Sequence, residues 1–255
     1  MILTMDVGNT NIKFGLWPAD KMENTFRINT RHSVSGDELG LLVESFLRLH
    51  NYGFRDVEDL VVANVVPPMR PAIERLGIRY IGKPPIIVEV NQQTIMPVLY
   101  LNPLEVGTDR VVGAIAAYRR LKRRLIVVDF GTATTFDCVS ESGQYLGGAI
   151  SPGFRLSADA LFNRARRLPK MEQFFKPKQV IAKDTINSLN SGLVLGYSCL
   201  VEGMVEKIRR EMGSAAVVAT GGLAALIAGE TTVIEYIWPD LTMEGLKIIY
   251  EEKAF

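Results

Sequence analysis

An apolar run over residues 1–7 and strict alternation through Ile12, Phe14 and Leu16 predict two strands, with a third near 23–30. The period then lengthens. Leu39, Leu42, Val43, Phe46, Leu47 and Leu49 recur at helical spacing and predict an amphipathic helix over 36–50. The same order returns later, with strands near 124–129, 134–140 and 144–150 ahead of a helix near 155–166. Each half therefore reads as β-β-β-α followed by further α/β. A linking helix is expected near 104–122, and "GGAISPG" at 147–153 reads as a turn signal. The basic segment 164–183, with Pro169 and Pro177, reads as a surface connection. Thr185 to Met212 is a long helix with Ile186, Leu189, Leu193, Leu200, Val201, Met204 and Ile208 as its apolar stripe. Ser188, Gly192 and Gly196 interrupt it at four-residue spacing. An interior glycine costs about 1 kcal/mol relative to alanine, so such a stripe implies close approach by another helix or a ligand. "VVATGGLAALIA" at 217–228 runs a buried strand through Gly221-Gly222 into a helix.

Two of the strand-ending turns carry the same residues. Asp6-Val7-Gly8-Asn9 in "ILTMDVGNTNIKFG" and Asp129-Phe130-Gly131-Thr132 in "LIVVDFGTATTFDCV" are both D-x-G-[NT], close to half a chain apart. An internal duplication accounts for the pair. Glycine at these turns lets a phosphate approach the backbone, and the hydroxyls of Thr10, Thr132 and Thr134 can donate to its oxygens. Lys13 can add a cation. An aspartate beside a phosphate needs a cation between them, and Mg²⁺ accepts one or two carboxylates together with phosphate oxygens. One such turn alone reads as a hairpin; two at this spacing read as phosphate loops. Both lead into strands, unlike the helix-feeding P-loop and Rossmann turns, whose G-x-x-x-x-G-K-[ST] and G-x-G-x-x-G patterns do not occur.

"NPLEVGTDRVVGAIAAYRR" at 102–120 places Asp109 and Arg110 where a helix begins. The residues alone allow two readings. Asp109 can be an N-cap with Arg110 a surface charge, or Asp109 can accept a substrate hydroxyl proton while Arg110 clamps a carboxylate. Gly221-Gly222 reads as a strand-to-helix turn. Arg119, Arg120, Lys122, Arg123 and Arg124 read as a solvated helix end favourable to the helix dipole. His32 and His50 have no neighbours in sequence that build a triad or zinc site.

The chain has 255 residues, 47% hydrophobic and 22% charged, which fits one large or two small globular domains. A net charge of +1 gives no field favouring nucleic acid or an acidic membrane. Cys138 and Cys199 are too far apart for a metal motif and are expected to be buried thiols of a reduced intracellular protein. No apolar run approaches bilayer length and no leader is recognisable, so a soluble, cytoplasmic protein is expected.

Together "DVGNTN", "NPLEVGTDR", "DFGTATTFD", "GGAISPG", "DTINSLNSG" and "ATGG" resemble the type III pantothenate kinases along essentially the full chain. That family belongs to the superfamily of acetate kinase, sugar kinases, Hsp70 and actin. The resemblance implies an α/β fold of two duplicated ribonuclease H-like (actin-like ATPase) domains, 1–118 and 119–255, each a mixed β-sheet flanked by helices, with an ATP cleft between them. It implies transfer of the ATP γ-phosphate to the pantothenate hydroxyl, giving 4′-phosphopantothenate in the first step of coenzyme A biosynthesis. By match to the family motifs, Asp6, Val7, Gly8, Asn9, Thr10, Asn11, Ile12 and Lys13 form the first phosphate loop, and Thr132 lies in the second. Asp109 matches the proton acceptor. Tyr100, Gly107, Thr108, Asp109, Arg110 and Thr185 match the substrate site. Asp129 matches a monovalent-cation ligand, with K⁺ or NH₄⁺ beside Mg²⁺, and Asp6 organises the Mg²⁺, directly or through water. Lys13 departs from many relatives. A homodimer with its substrate pocket near the subunit interface is also implied. Two alternatives stand beside this reading: a kinase for another small hydroxylated or carboxylated metabolite, and a catalytically silent relative acting as a transcriptional accessory factor.

Overall fold

In the computed structural model, which describes residues 1–90, 95–165 and 167–252, the first apolar run becomes β1 (Ile2–Val7). The alternating segment becomes β2 (Asn11–Trp17), and β3 (Asn24–Asn29) completes an antiparallel meander. After α1 (Gly36–Leu49) the chain enters β4 (Asp59–Asn64), which lies parallel to β1, then α2 (Arg70–Leu76) and the short β5 (Ile86–Ile87). The sheet order is β3-β2-β1-β4-β5. Helix α1 starts where Ser35 and Glu38 form a reciprocal capping box, and it buries Leu39, Val43 and Leu47 against Leu3, Met5, Ile12 and Phe14. Each such fully buried side chain contributes about 1.5–3 kcal/mol.

The link α3 (Thr108–Leu121) begins later than 104 because Pro103–Glu105 forms a separate 3₁₀ turn, capped by Asn102. A second meander follows, β6 (Leu125–Phe130), β7 (Ala133–Val139) and β8 (Tyr145–Pro152), then α4 (Phe154–Arg164). Helix α5 (Thr185–Met212), β9 (Ala216–Gly221), α6 (Ala224–Ala228) and β10 (Tyr236–Ile237) complete this part. The order β10-β9-β6-β7-β8 repeats the first sheet's plan, again with a parallel strand, β9, beside the first strand. Its core packs Ile126, Val128 and Phe136 against Phe154 and the Val194, Tyr197 and Val201 face of α5. The last helix, α7 (Leu241–Glu251), packs on β1 and β4. The compact units are residues 1–116 with the C-terminal helix, and residues 117–240; they differ from the expected halves in the placement of that one helix. Its Met243 sulfur accepts from the buried Thr4 hydroxyl at 3.3 Å, and Tyr250 donates to Asp59 at 2.8 Å. Burial and that bond push the Tyr250 phenol up to about 12.

Several local expectations change. Gly147 and Gly148 lie inside β8, as the strand expected near 144–150 requires, and a Cβ at Gly148 would sit 1.7 Å from the Phe136 carbonyl oxygen; the turn into the next helix falls at Gly153, the N-cap residue of α4. Cys138 is buried but Cys199 is exposed on α5. The basic end of α3 is not simply solvated: Arg123 pairs with Glu235 at 3.3 Å and Arg120 lies 4.6 Å over the Trp238 ring. A Cβ at Gly192 or Gly196 would meet nothing within 4 Å among the described residues, so the close neighbour expected at this stripe is not another helix of the chain. Among the described residues no helix is long and apolar enough to cross a membrane.

Candidate active site

The first loop leaves β1 at the carboxyl ends of the parallel pair β1 and β4, the end of an open α/β sheet where ligands bind. The Gly8 amide donates to the Asn11 carbonyl at 3.0 Å and closes the turn, leaving Asn9 and Thr10 exposed at its tip. Val7 and Ile12 are fully buried, so those two can offer a ligand only backbone. Asp6 stands directly opposite Lys13 in the β1–β2 register. Opposed residues share a sheet face with Cβ atoms about 4.5–5.5 Å apart, so both side chains leave the same face of the hairpin. Thr30, the residue after β3, touches this loop twice: its amide donates to the Thr10 carbonyl at 2.9 Å and its hydroxyl to the Gly8 carbonyl at 2.6 Å.

The G-T-D-R segment reaches the same sheet end. A Cβ on Gly107 would lie 3.7 Å from Val65, whose amide donates to the Val7 carbonyl at 3.1 Å. Asp109 is not the N-cap, since Thr108 already opens α3; it sits in the first turn, where the helix dipole favours a carboxylate. Its Oδ1 accepts from the Arg110 amide at 2.9 Å. The same oxygen would be 2.6 Å from a Cβ on Gly107, so only glycine lets Asp109 hold this position. Arg110 is partly buried, and Tyr100 is 36% exposed on the irregular stretch before the 3₁₀ turn.

In the second unit Asp129 is the penultimate residue of β6, as Asp6 is of β1. The Gly131 amide closes this loop on the Ala133 carbonyl at 3.1 Å, and the Gly153 amide donates to the Thr132 carbonyl at 3.1 Å. Gly221 has φ 89°, and a Cβ there would lie 2.6 Å from Asp129 Oδ1 and 2.7 Å from the Phe130 carbonyl oxygen. Thr132 is exposed. Thr134 is not: β-strand alternation turns it into the core, where its hydroxyl lies 2.6 Å from that of Tyr197. Burial pushes the Tyr197 phenol up. Thr135 pairs with Asp129, and its hydroxyl donates at 2.8 Å to the buried Asp137, which also accepts from Tyr145 at 2.7 Å.

Thr185 stands apart from this loop's hydrogen bonds. It opens α5 beside a cavity of about 670 Å³ walled by Leu161, Leu168, Leu189 and Leu193 and edged by Lys183. The helix is capped by Asp184, whose Oδ1 accepts from the Asn187 amide at 2.9 Å. That backbone bond, with the Asn187 side-chain amide next, holds the Asp184 carboxyl below its ordinary value of 3.8. Thr30 was not recognisable from sequence, and Gly153 only as part of the "GGAISPG" turn signal, because what each does lies in strand register rather than residue type.

Among the described residues no group of three or more His, Cys, Asp or Glu could hold a metal ion unaided. A single carboxylate at Asp6 fits a metal that arrives with its own phosphate ligands.

Over residues 2–207 the chain matches the family described as type III pantothenate kinase. The type III pantothenate kinase of Syntrophotalea carbinolica is 50% identical over 251 residues, covering 98% of both chains. That of Syntrophobacter fumaroxidans is 46% identical over 252 residues, with 98% of both covered. Among solved structures, component A of the (R)-2-hydroxyglutaryl-CoA dehydratase of Acidaminococcus fermentans aligns with TM-score 0.59 at 14% identity, over 99% of this chain and 98% of that one. The ROK hexokinase of Thermus thermophilus aligns with TM-score 0.56 at 13% identity, over 99% of each. At such identities these structures establish the fold, a two-unit ribonuclease H-like architecture. The full-length identity to curated relatives establishes more, and the chain belongs to the type III pantothenate kinases.

Proposed function

We infer that the protein is an ATP-dependent pantothenate kinase, moving the γ-phosphoryl group of ATP to the pantothenate hydroxyl in the opening step of coenzyme A synthesis. The observation that carries this is the convergence of the Asp6–Lys13 loop and the Gly107–Arg110 turn on one end of the β1–β4 pair. Phosphoryl transfer asks mainly for alignment and neutralised charge, and this sheet end offers amides, an ammonium and an acid within one unit. Asp109 accepts the proton of the attacking hydroxyl. Arg110 offers a planar fork to the substrate carboxylate, with Gly107, Thr108 and Tyr100 around it, and Thr185 is assigned to the substrate by its match to the family motif. The amides and hydroxyls of Gly8 to Asn11 are assigned to the nucleotide phosphates, and Thr132 is assigned to phosphate contact by its match to the family's second loop. Mg²⁺ arriving with ATP would supply charge neutralisation there, and Asp6 would hold it or its waters. Asp129 would hold K⁺ or NH₄⁺; the missing side chain at Gly221 keeps its Oδ1 and the Phe130 carbonyl oxygen from being covered, which supports such a site. The reading extends to a cytoplasmic homodimer that uses neither nucleic acid nor membrane. An ADP-release assay tests it: release with ATP and Mg²⁺ should depend on pantothenate and rise with K⁺. Release that ignores pantothenate would remove the function and leave the fold.

A further inference from the structure

The two phosphate loops are held from behind by residues at corresponding places, yet by different means. After β3, the Thr30 amide donates to the Thr10 carbonyl; after β8, the Gly153 amide donates to the Thr132 carbonyl. These two bonds are the same backbone device. The next contact differs. In the second loop the Gly131 carbonyl oxygen packs against Gly153, only 2.6 Å from where a Cβ would stand. In the first loop the matching carbonyl, that of Gly8, instead accepts the Thr30 hydroxyl at 2.6 Å.

The planar trans peptide gives this bond a directional consequence. The Gly8 carbonyl and the Asn9 N–H belong to one peptide unit and point in opposite directions, as do the Thr10 carbonyl and the Asn11 N–H. Tying both carbonyls to Thr30 therefore turns the Asn9 and Asn11 amides toward the opposite side of the loop. Without the hydroxyl, the Gly8–Asn9 unit follows a glycine with wide φ/ψ freedom and can rotate its amide away.

We propose that Thr30 is a positioning residue for ATP: its hydroxyl fixes the Gly8–Asn9 peptide so that the loop's amides are set for phosphate before nucleotide arrives. This rests on the reading of the loop as an ATP site, and it concerns Thr30 itself rather than any group that touches nucleotide. The amide bond to Thr10 survives any non-proline substitution, so the hydroxyl can be tested separately.

The test compares Thr30→Val, which keeps branching and shape but has no donor, with Thr30→Ser, which keeps the donor, in the full-length protein. Thr30→Val should raise KM for ATP roughly fivefold, the worth of one ordinary hydrogen bond, with kcat and KM for pantothenate unchanged. Thr30→Ser should restore the parental KM for ATP. Calorimetric binding of a non-hydrolysable ATP analogue should weaken by the same factor in Thr30→Val and recover in Thr30→Ser. The proposal is overturned by an unchanged ATP constant in Thr30→Val, by equal rises for both substrates, or by a Ser variant that behaves like Val. Should the parent bind the analogue yet not phosphorylate pantothenate, the proposed function falls and the binding comparison still decides the role of Thr30. A parent that does not bind the analogue overturns both.

Discussion

Asp109 is held by the Arg110 amide on one side and by the bare face of Gly107 on the other, which fixes its carboxylate in the first turn of α3. Replacing it with asparagine keeps the shape and removes the proton acceptor. Asp109→Asn should lower kcat by roughly 10²–10⁴-fold, the usual worth of a general base, with an unchanged melting temperature. Near-parental turnover would end its role as base. Arg110→Ala should weaken pantothenate by about tenfold or more, in line with loss of a charge-assisted contact, and ATP much less; equal losses would argue against a carboxylate clamp. Gly221 offers a different kind of test. Its φ of 89° and the 2.6 Å approach of Asp129 Oδ1 mean that Gly221→Ala strains the backbone and displaces the carboxylate. Stability should fall by about 1 kcal/mol or more, and the K⁺ concentration for half-maximal activity should rise. Activation by K⁺ that is untouched in the variant would separate Asp129 from the cation. The acids and glycines of these sites were legible in sequence because D-x-G-[NT] and G-T-D-R state their chemistry in residue types. Thr134 was misjudged for the complementary reason: its type suits a phosphate, and only strand parity sends it inward to Tyr197.

At the scale of elements, periodicity located α1 and α5 closely, since long amphipathic repeats leave an unambiguous signal. The two-residue strands β5 and β10 carry no period to read, and both depend on a neighbouring strand for their pairing. Helix α3 was placed too early because nothing in the apolar pattern separates it from the 3₁₀ turn at Pro103. Helix α5 yields a prediction with a definite sign. Hydrogen bonding from the Asn187 amide lowers the pKa of Asp184 in the folded protein, so its stabilisation is present above the unfolded carboxyl's range and is lost as pH falls through the lowered value, below about 3.8. Asparagine also caps helices but does not titrate. The parent should exceed Asp184→Asn in urea midpoint at pH near 7, and the gap should close in acid as Asp184 is protonated. A gap that stays constant from neutral pH into acid would show that the carboxylate's charge does not contribute.

Over the whole molecule, the duplication was visible as two D-x-G turns half a chain apart, and the matching sheet orders are its structural counterpart. The return of α7 to the first unit was not visible, because which sheet a C-terminal helix joins depends on contacts such as Met243 to Thr4 and Tyr250 to Asp59, far apart in sequence. The glycines of α5 bear on assembly. Gly192 and Gly196 lie exposed on a 28-residue helix with nothing within 4 Å of their would-be Cβ atoms among the described residues. Each lowers helix propensity by about 1 kcal/mol relative to alanine, and no packing among the described residues offsets it. A second copy whose backbone approaches this face would do so, which suits the dimer, with its substrate pocket near the interface, that the family resemblance implies. Gly196→Glu is therefore expected to fold, since the monomer has room for the side chain, and to place a charge where a partner helix would lie. Light scattering should then give half the parental mass, with a concentration-independent melting temperature. If Gly196→Glu keeps the parental dimer mass, the glycine face is not the interface; if the parent itself weighs one chain, the dimer is excluded and the open face needs another occupant.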